Sequence, residues 1–342
     1  MTVEPSNMQD ARPDAKRSKL KAVVRLAVSA LLVLIIYSTV DVSVLWRTLS
    51  SISIATALAF AALYTLGQIL SAFKWSVLTR EIGLVRSYRE ILRAYFVGMF
   101  VNTFGLGTVG GDVARSLAIK PPAGLRAASL ATVVADRLHG LAVLASIGAV
   151  AILYETPDVL GMVGVLGAAA VALFVALGWL IGPKILTRIF PEDHQFGAAA
   201  RRVALAFPRK RGPVLLVTAI SLVFHCIQIS MHIMLAKAFG APLTIAYLFA
   251  TVPLVNIASS LPLSVNGLGI REAMYIFLFV PVGVPQETAV AFGAVWILAV
   301  TAVSAVGGLI AANIEVEGQT EVQLAPTAEE TPPREHRHAA GV

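Results

Sequence analysis

The chain has 342 residues, of which 57% are hydrophobic and only 14% charged, and its mean hydropathy is +0.79. Soluble domains carry about 25% charged residues, so this composition excludes an ordinary water-soluble globule and points to a multi-pass membrane protein. The formal charge of +7 is not the footprint of a nucleic-acid binder, because the basic residues flank apolar runs instead of covering a polar face.

In chain order, residues 1–21 carry Pro5, Pro13, Lys16, Arg17, Lys19 and Lys21 and are expected to form a basic, disordered arm. Their polarity, with no small-residue cleavage site after the first apolar run, argues against a cleavable signal peptide. Runs long enough to cross the hydrocarbon core, about 18 apolar residues or more, lie at 22–40, 52–73, 127–153, 159–181, 213–236 and 289–312. Two further apolar stretches are interrupted. Glycines break 94–119, within "TFGLGTVGGDVARSL", and Pro253, Pro262, Gly267 and Gly269 break 244–280.

Lys and Arg collect on cytoplasmic loops. The arm and the basic loops at 74–93 and 184–211 are therefore expected inside, with "YETPD" (154–158) and the 281–288 turn outside. For both basic loops to share a side, 94–119 must return to the face it left, and by the same count 244–280 returns to the outside. The expected architecture is all-α and polytopic. About six full crossings and two broken re-entrant hairpins, in an inverted repeat, occupy a single membrane domain at 22–312, followed by a disordered tail at 313–342. The expected location is a bacterial plasma (inner) membrane with both termini in the cytoplasm.

The two broken stretches echo one another: "NTFGLGTVGGDVAR" (102–115) and "NIASSLPLSVNGLGIRE" (256–272) each run from an Asn through a glycine break to charged residues opening a helix. Transporters built from inverted repeats carry interrupted helices of this kind at their binding sites. Non-helical backbone survives at membrane depth only where protein buries it or it lines a wet cavity, so an internal polar cavity is expected.

The candidate residues follow from that cavity. Gly110 and Gly111 let backbone approach a ligand closely, a helix N-terminus favours anions, and Arg115 can form paired hydrogen bonds to a phosphate. Asp112 is expected to cap the helix and orient Arg115. Asn266, Gly267, Gly269, Arg271 and Glu272 repeat the set. Capping and structural ion pairs account equally well for Asp112 and Glu272, whereas phosphate contact is favoured for Arg115 and Arg271 because charges at membrane depth are functional by default. In "ADRLHG" (135–140), Asp136 and His139 share a helical face and Arg137 points elsewhere. Asp136 can pair with Arg115 until a headgroup arrives, relay protons with His139, or serve as a structural ion pair. Asp112, Asp136, Arg137, His139 and Glu272 are thus the gating or charge-pairing candidates.

Other features point away from chemistry. His225 and His232 share a face with Gln228 but lack further ligands, so interhelical hydrogen bonding outranks metal binding. The single cysteine, Cys226, excludes an internal disulfide. Trp75, between Lys74 and Arg80, reads as an interfacial anchor. With no nucleotide-binding loop, nucleophile elbow or zinc-protease motif, no catalytic residue, metal or cofactor is expected.

"GTVGGDVAR", "ADRLHG" and "LPLSVNGLGIRE", with Lys74–Trp75 upstream, resemble the lysylphosphatidylglycerol synthase transmembrane-region family over roughly residues 20–315. The matching positions are Gly110, Gly111, Asp112 and Arg115, then Asp136 and Arg137, then Asn266, Gly267, Gly269, Arg271 and Glu272. The resemblance implies a flippase-like module. In the bifunctional synthases, such a module moves aminoacylated phosphatidylglycerol between leaflets and precedes a soluble transferase domain. Only a disordered tail is expected here, so aminoacylation does not carry over, and neither does the identity of the lipid. The expected function is translocation of an anionic phospholipid or a polyprenyl- or hopanoid-type lipid. The alternative is a membrane-embedded enzyme or accessory subunit in lipid-linked headgroup or glycolipid synthesis. Expected partners are membrane lipids with anionic headgroups and no nucleic acid, with a second copy or a lipid-biosynthesis enzyme left open.

Overall fold

The computed structural model describes residues 15–105, 108–155, 195–208, 210–261 and 263–313. The start of the arm, most of "YETPD", the crossing expected at 159–181, part of the 184–211 loop and the tail lie outside the described residues. Every regular element among the described residues is helical, so the protein is an all-α polytopic membrane protein.

The chain opens with α1 (Ala15–Thr39) and α2 (Val42–Ser50), bent by 94° at a break where the Asp41 side chain accepts from the Ser43 and Val44 amides. Then come α3 (Ile54–Glu81), α4 (Tyr88–Phe104), α5 (Thr108–Ala118) and α6 (Arg126–Glu155). After α7 (Gln195–Leu205) follow α8 (Arg211–Ala238), α9 (Ile245–Ser260), α10 (Ile270–Phe279) and α11 (Gln286–Asn313). Helices α3, α6, α8 and α11 are long and apolar enough to cross a membrane, and the bent pair α1–α2 makes a fifth candidate among the described residues. At 1.5 Å per residue, the 28 residues of α3 span about 42 Å, against about 30 Å of hydrocarbon. The 11 residues of α5 and the 10 of α10 reach only about 15–17 Å. Neither short helix can cross alone.

Both short helices fold back on their predecessors. A Cβ placed on Gly98 of α4 would lie 2.7 Å from the Arg115 Cβ and 2.9 Å from the Gly111 carbonyl oxygen of α5, and the Asn102 side chain lies against Gly111. Contacts that close around the break describe an antiparallel hairpin whose helices approach backbone to backbone. Its base is tied by Arg86, which donates from Nε to the Ile119 carbonyl at 3.0 Å and from Nη2 to that of Lys120 at 3.1 Å. The second hairpin, α9 and α10, turns through Asn266 (φ 55°), Gly267 (φ 76°) and Gly269 (φ 82°). Left-handed backbone of this kind is steric work for glycine. Leu32 of α1 packs against Gly269, and the Val265 amide donates to Ser29 Oγ of α1 at 2.8 Å.

The two halves of the molecule repeat. Helices α3 to α6 have 28, 17, 11 and 30 residues, and α8 to α11 have 28, 16, 10 and 28. Packing is exchanged between the halves: α4 lies on α11 while α9 lies on α6, and α2 lies on α11 while α7 lies on α6. The first helices of each half, α3 and α8, pack on each other. Gly67 faces Phe224, and Lys74 bonds Ser221, so residue numbers rise along one helix as they fall along the other. That crossing is antiparallel, and it brings equivalent positions of the two halves together. An antiparallel crossing of α3 and α8 is the arrangement that an inverted repeat of the two halves requires.

Candidate functional site

The first hairpin brings its charges onto α3 and α6. Lys74 Nζ lies 2.8 Å from Asp136 Oδ1 and also donates to the Asp136 carbonyl and to Ser221 Oγ, each at 3.2 Å. Arg115 Nη2 donates to Asp136 Oδ2 at 3.2 Å, and its Nε lies 3.5 Å from Asp112 Oδ1. Asp112 is held in turn by Arg137, whose Nε pairs with Oδ2 and whose Nη2 donates to Oδ1 at 2.9 Å. Lys74, Arg115 and Asp136 are all 5–6% exposed. The Arg115 guanidinium also stacks on Trp75 and Tyr95, with centroids at 5.1 Å. Three cations thus share two carboxylates, leaving one surplus positive charge where a charge without a partner is expensive. His139 joins the edge of the group through Thr218 (3.1 Å) and Ser221 (3.2 Å) of α8.

The second hairpin is built differently. Arg271 Nη1 donates to Asn256 Oδ1 at 2.9 Å, and the guanidinium stacks on Trp296 at 4.9 Å. Among the described residues, no carboxylate lies within 4 Å of it. Glu272, its neighbour in sequence, is turned away: its Oε2 accepts the Gly269 amide at 2.7 Å as the capping group of α10. Gly293 of α11 makes room for that carboxylate, since a Cβ there would sit 2.6 Å from Oε1. Arg271 faces a cavity of about 200 Å³ lined by Tyr64, Gln68, Gln228, Asn266, Trp296 and an edge of Glu272.

One helix stripe joins the two places. On α8, Thr218, Ser221, His225, Gln228 and His232 recur at three- and four-residue steps, which puts them on one face. His225 Nε2 meets the Gly140 carbonyl at 2.9 Å, and His232 meets the Gln228 carbonyl at 2.7 Å and the Tyr275 hydroxyl at 2.6 Å. Interhelical hydrogen bonding, the expected role of both histidines, is what the structure shows. Ser221 belongs to the first group and Gln228 to the second cavity, so the two sites sit about 10 Å apart along α8.

Several expectations change. Asp112 does not cap its helix, because α5 begins at Thr108 and places Gly110, Gly111 and Asp112 inside it. Gly111 serves close packing on α4, and Asp112 bridges Arg115 and Arg137. Arg137 does not point elsewhere; it completes that bridge from α6. Arg271 and Glu272 do not pair with each other. Trp75 is no interfacial anchor: it is fully buried and its Nε1 donates to Thr132 Oγ1 at 2.9 Å. Lys74, read from sequence as part of a basic loop, lies inside α3 and supplies a buried cation. Asn256, Gln68, Gln228 and Trp296 also belong to the sites. Asn256 opens the second echoed stretch and Gln228 shares the histidine face, whereas Gln68 and Trp296 are marked in the sequence only by polarity or ring size within apolar runs.

Among the described residues, no group of His, Cys, Asp and Glu is placed to hold a metal ion. No match was found among curated proteins. The family model described as the lysylphosphatidylglycerol synthase TM region matches residues 22–308. That stretch contains both hairpins, the charged cluster and the Arg271 cavity, so the chain belongs to the lysylphosphatidylglycerol synthase transmembrane-region family, a membrane protein of lipid metabolism or translocation.

Proposed function

We propose that the protein moves an anionic, phosphate-bearing lipid between the leaflets of a bacterial inner membrane. The observation that carries this reading is the difference between two related arginines. Arg115 is latched by Asp112 and Asp136, whereas Arg271 makes no direct ion pair among the described residues and opens onto a polar cavity whose lining carboxylate, Glu272, is engaged in capping α10. A half-buried guanidinium that faces a polar cavity without a direct ion pair is a site for an incoming anion.

The headgroup binds Arg271, with Asn266 and the neighbouring amides on the cavity wall, and passes along the polar stripe of α8 towards Arg115. Its phosphate displaces Asp112 and Asp136 there, and the surplus cation of that cluster keeps the exchange close to neutral. Gly98 and Gly111 let α5 lie close enough to α4 to hold Arg115 at that depth. The basic loops favour a cytoplasmic position for both termini, and in that orientation the Arg115 cluster occupies the inner half and the Arg271 cavity the outer half. The acyl chains stay out of the polar path, so only the headgroup passes along the stripe of α8.

The test is leaflet exchange in liposomes. Purified protein is reconstituted with headgroup-labelled anionic or zwitterionic lipids, and a membrane-impermeant quencher follows the exchange. Faster exchange of anionic than of zwitterionic lipid is the expected result. No exchange above protein-free liposomes for several anionic lipids overturns the reading and leaves a lipid-biosynthesis subunit as the better account.

A further inference from the structure

The Arg271 cavity has an apolar neighbour. On the other side of the α10 break lies a second cavity of about 390 Å³, walled by Val33 and Ile36 of α1, Leu49 of α2, and Ala294 and Leu298 of α11. Leu268, Glu272 and Ile297 line both spaces. These three residues separate the two spaces. Gly267 faces the polar side, Gly269 the apolar side, and Leu268 both.

We propose that the apolar cavity holds an acyl chain of the same lipid whose headgroup binds Arg271, so that one molecule straddles Leu268. This inference rests on the functional reading above and adds a tail subsite to it. The occupant follows from the surroundings. The walls are hydrocarbon apart from Gly269, the Glu272 edge and the Tyr37 ring, and they belong to helices standing in a bilayer whose abundant apolar ligand is a lipid chain. Continuity with the cation-bearing cavity ties that chain to an anionic headgroup. The polar space of about 200 Å³ is smaller than the apolar one of about 390 Å³, the order expected for a small charged headgroup and a longer chain. Burying chain methylenes against Val33, Ile36 and Leu298 adds affinity that a free phosphate ester cannot gain.

The inverted repeat sharpens the point. Helix α1 covers the second break through Leu32 and Ser29, so the element that fixes the dividing wall also builds the tail cavity. A lipid reaching Arg271 from the side passes between α1 and α11, tail first into the apolar space and headgroup over Leu268.

The test uses the purified full chain in a zwitterionic nanodisc and two probes, dioctanoyl phosphatidylglycerol and glycerol phosphate. The wild type should bind the lipid at least about tenfold more tightly than the chainless ester, a difference of about 1.4 kcal/mol. Ala294→Phe fills the apolar cavity from α11. It should bring lipid affinity close to that of glycerol phosphate while leaving glycerol phosphate binding unchanged. Val33→Phe fills the same space from α1 and must agree, which guards against a folding defect in either variant. Arg271→Gln should weaken both probes. If Arg271→Gln weakens both but the two filling variants leave lipid affinity unchanged, the tail subsite is wrong and the headgroup site stands. If Arg271→Gln weakens neither probe, the headgroup reading fails and takes this proposal with it.

Discussion

Asp136 is the keystone of the first cluster, and replacing it by Asn removes one charge at nearly constant volume. Two buried cations then lose their shared partner: Lys74 at 2.8 Å and Arg115 at 3.2 Å. Removing one member of a buried ion pair destabilises by about 3–5 kcal/mol, because the remaining charge is left without compensation. The cluster would hold three cations against Asp112 alone. Spread over roughly 290 residues at ~2.1 cal/mol/K each, that loss corresponds to a fall of about 5–8 °C in unfolding temperature. Cys226, the one cysteine and half-buried on α8, reports unfolding through a thiol-reactive dye. Adding Lys74→Met to Asp136→Asn restores the native surplus of a single positive charge and should recover at least half of the loss. Were Asp136→Asn to unfold within about 2 °C of the wild type, the argument that Asp136 neutralises buried charge would be refuted.

Further expectations concern other parts of the fold. Gly98→Val pushes a side chain into the Arg115 Cβ and the Gly111 carbonyl and should destabilise by about 1–3 kcal/mol, whereas Gly124→Ala, with open space around it, should be neutral in the same thiol assay. Glu272→Gln keeps an acceptor for the Gly269 amide, so stability should hold. With a negative charge removed beside Arg271, binding of an anionic lipid should tighten severalfold, as read by titration in nanodiscs. Glu272→Ala, which removes the cap as well, should cost about 1 kcal/mol. Arg115→Gln should slow leaflet exchange while leaving lipid binding at Arg271 intact, which separates the two sites by comparing rate with Kd.

How far the sequence revealed this arrangement differs between its parts. Glycine breaks with flanking charges were enough to place both hairpins, because backbone at membrane depth has few other reasons to leave the helix. The meeting of Arg115 with Asp136 was likewise legible, since a buried arginine needs a carboxylate from a neighbouring helix. Lys74 and Trp75 were not. Near a helix end, a lysine beside a tryptophan fits an interfacial anchor and a buried pair equally, and an apolar helix such as α3 shows no amphipathic stripe to decide between them. Asp112 misled for a related reason: a helix start was placed at the double glycine, but α5 begins at Thr108, and close packing on Gly98 rather than a turn accounts for Gly111. Asn256 was marked only as the start of an echoed stretch, and Trp296 carried no charge to single it out. Their partnership with Arg271 depends on how α9 and α11 fold onto α10.

The central claim is that Arg271 is the cation an anionic headgroup meets, and the exchange rate of a fluorescent phosphatidylglycerol tests it most directly. Wild type and Arg271→Gln are reconstituted at matched copy number, with folding checked through Cys226, and quenched from outside. The account predicts exchange in the wild type and a rate near that of protein-free liposomes in Arg271→Gln. A folded Arg271→Gln protein that exchanges the lipid at the wild-type rate contradicts it.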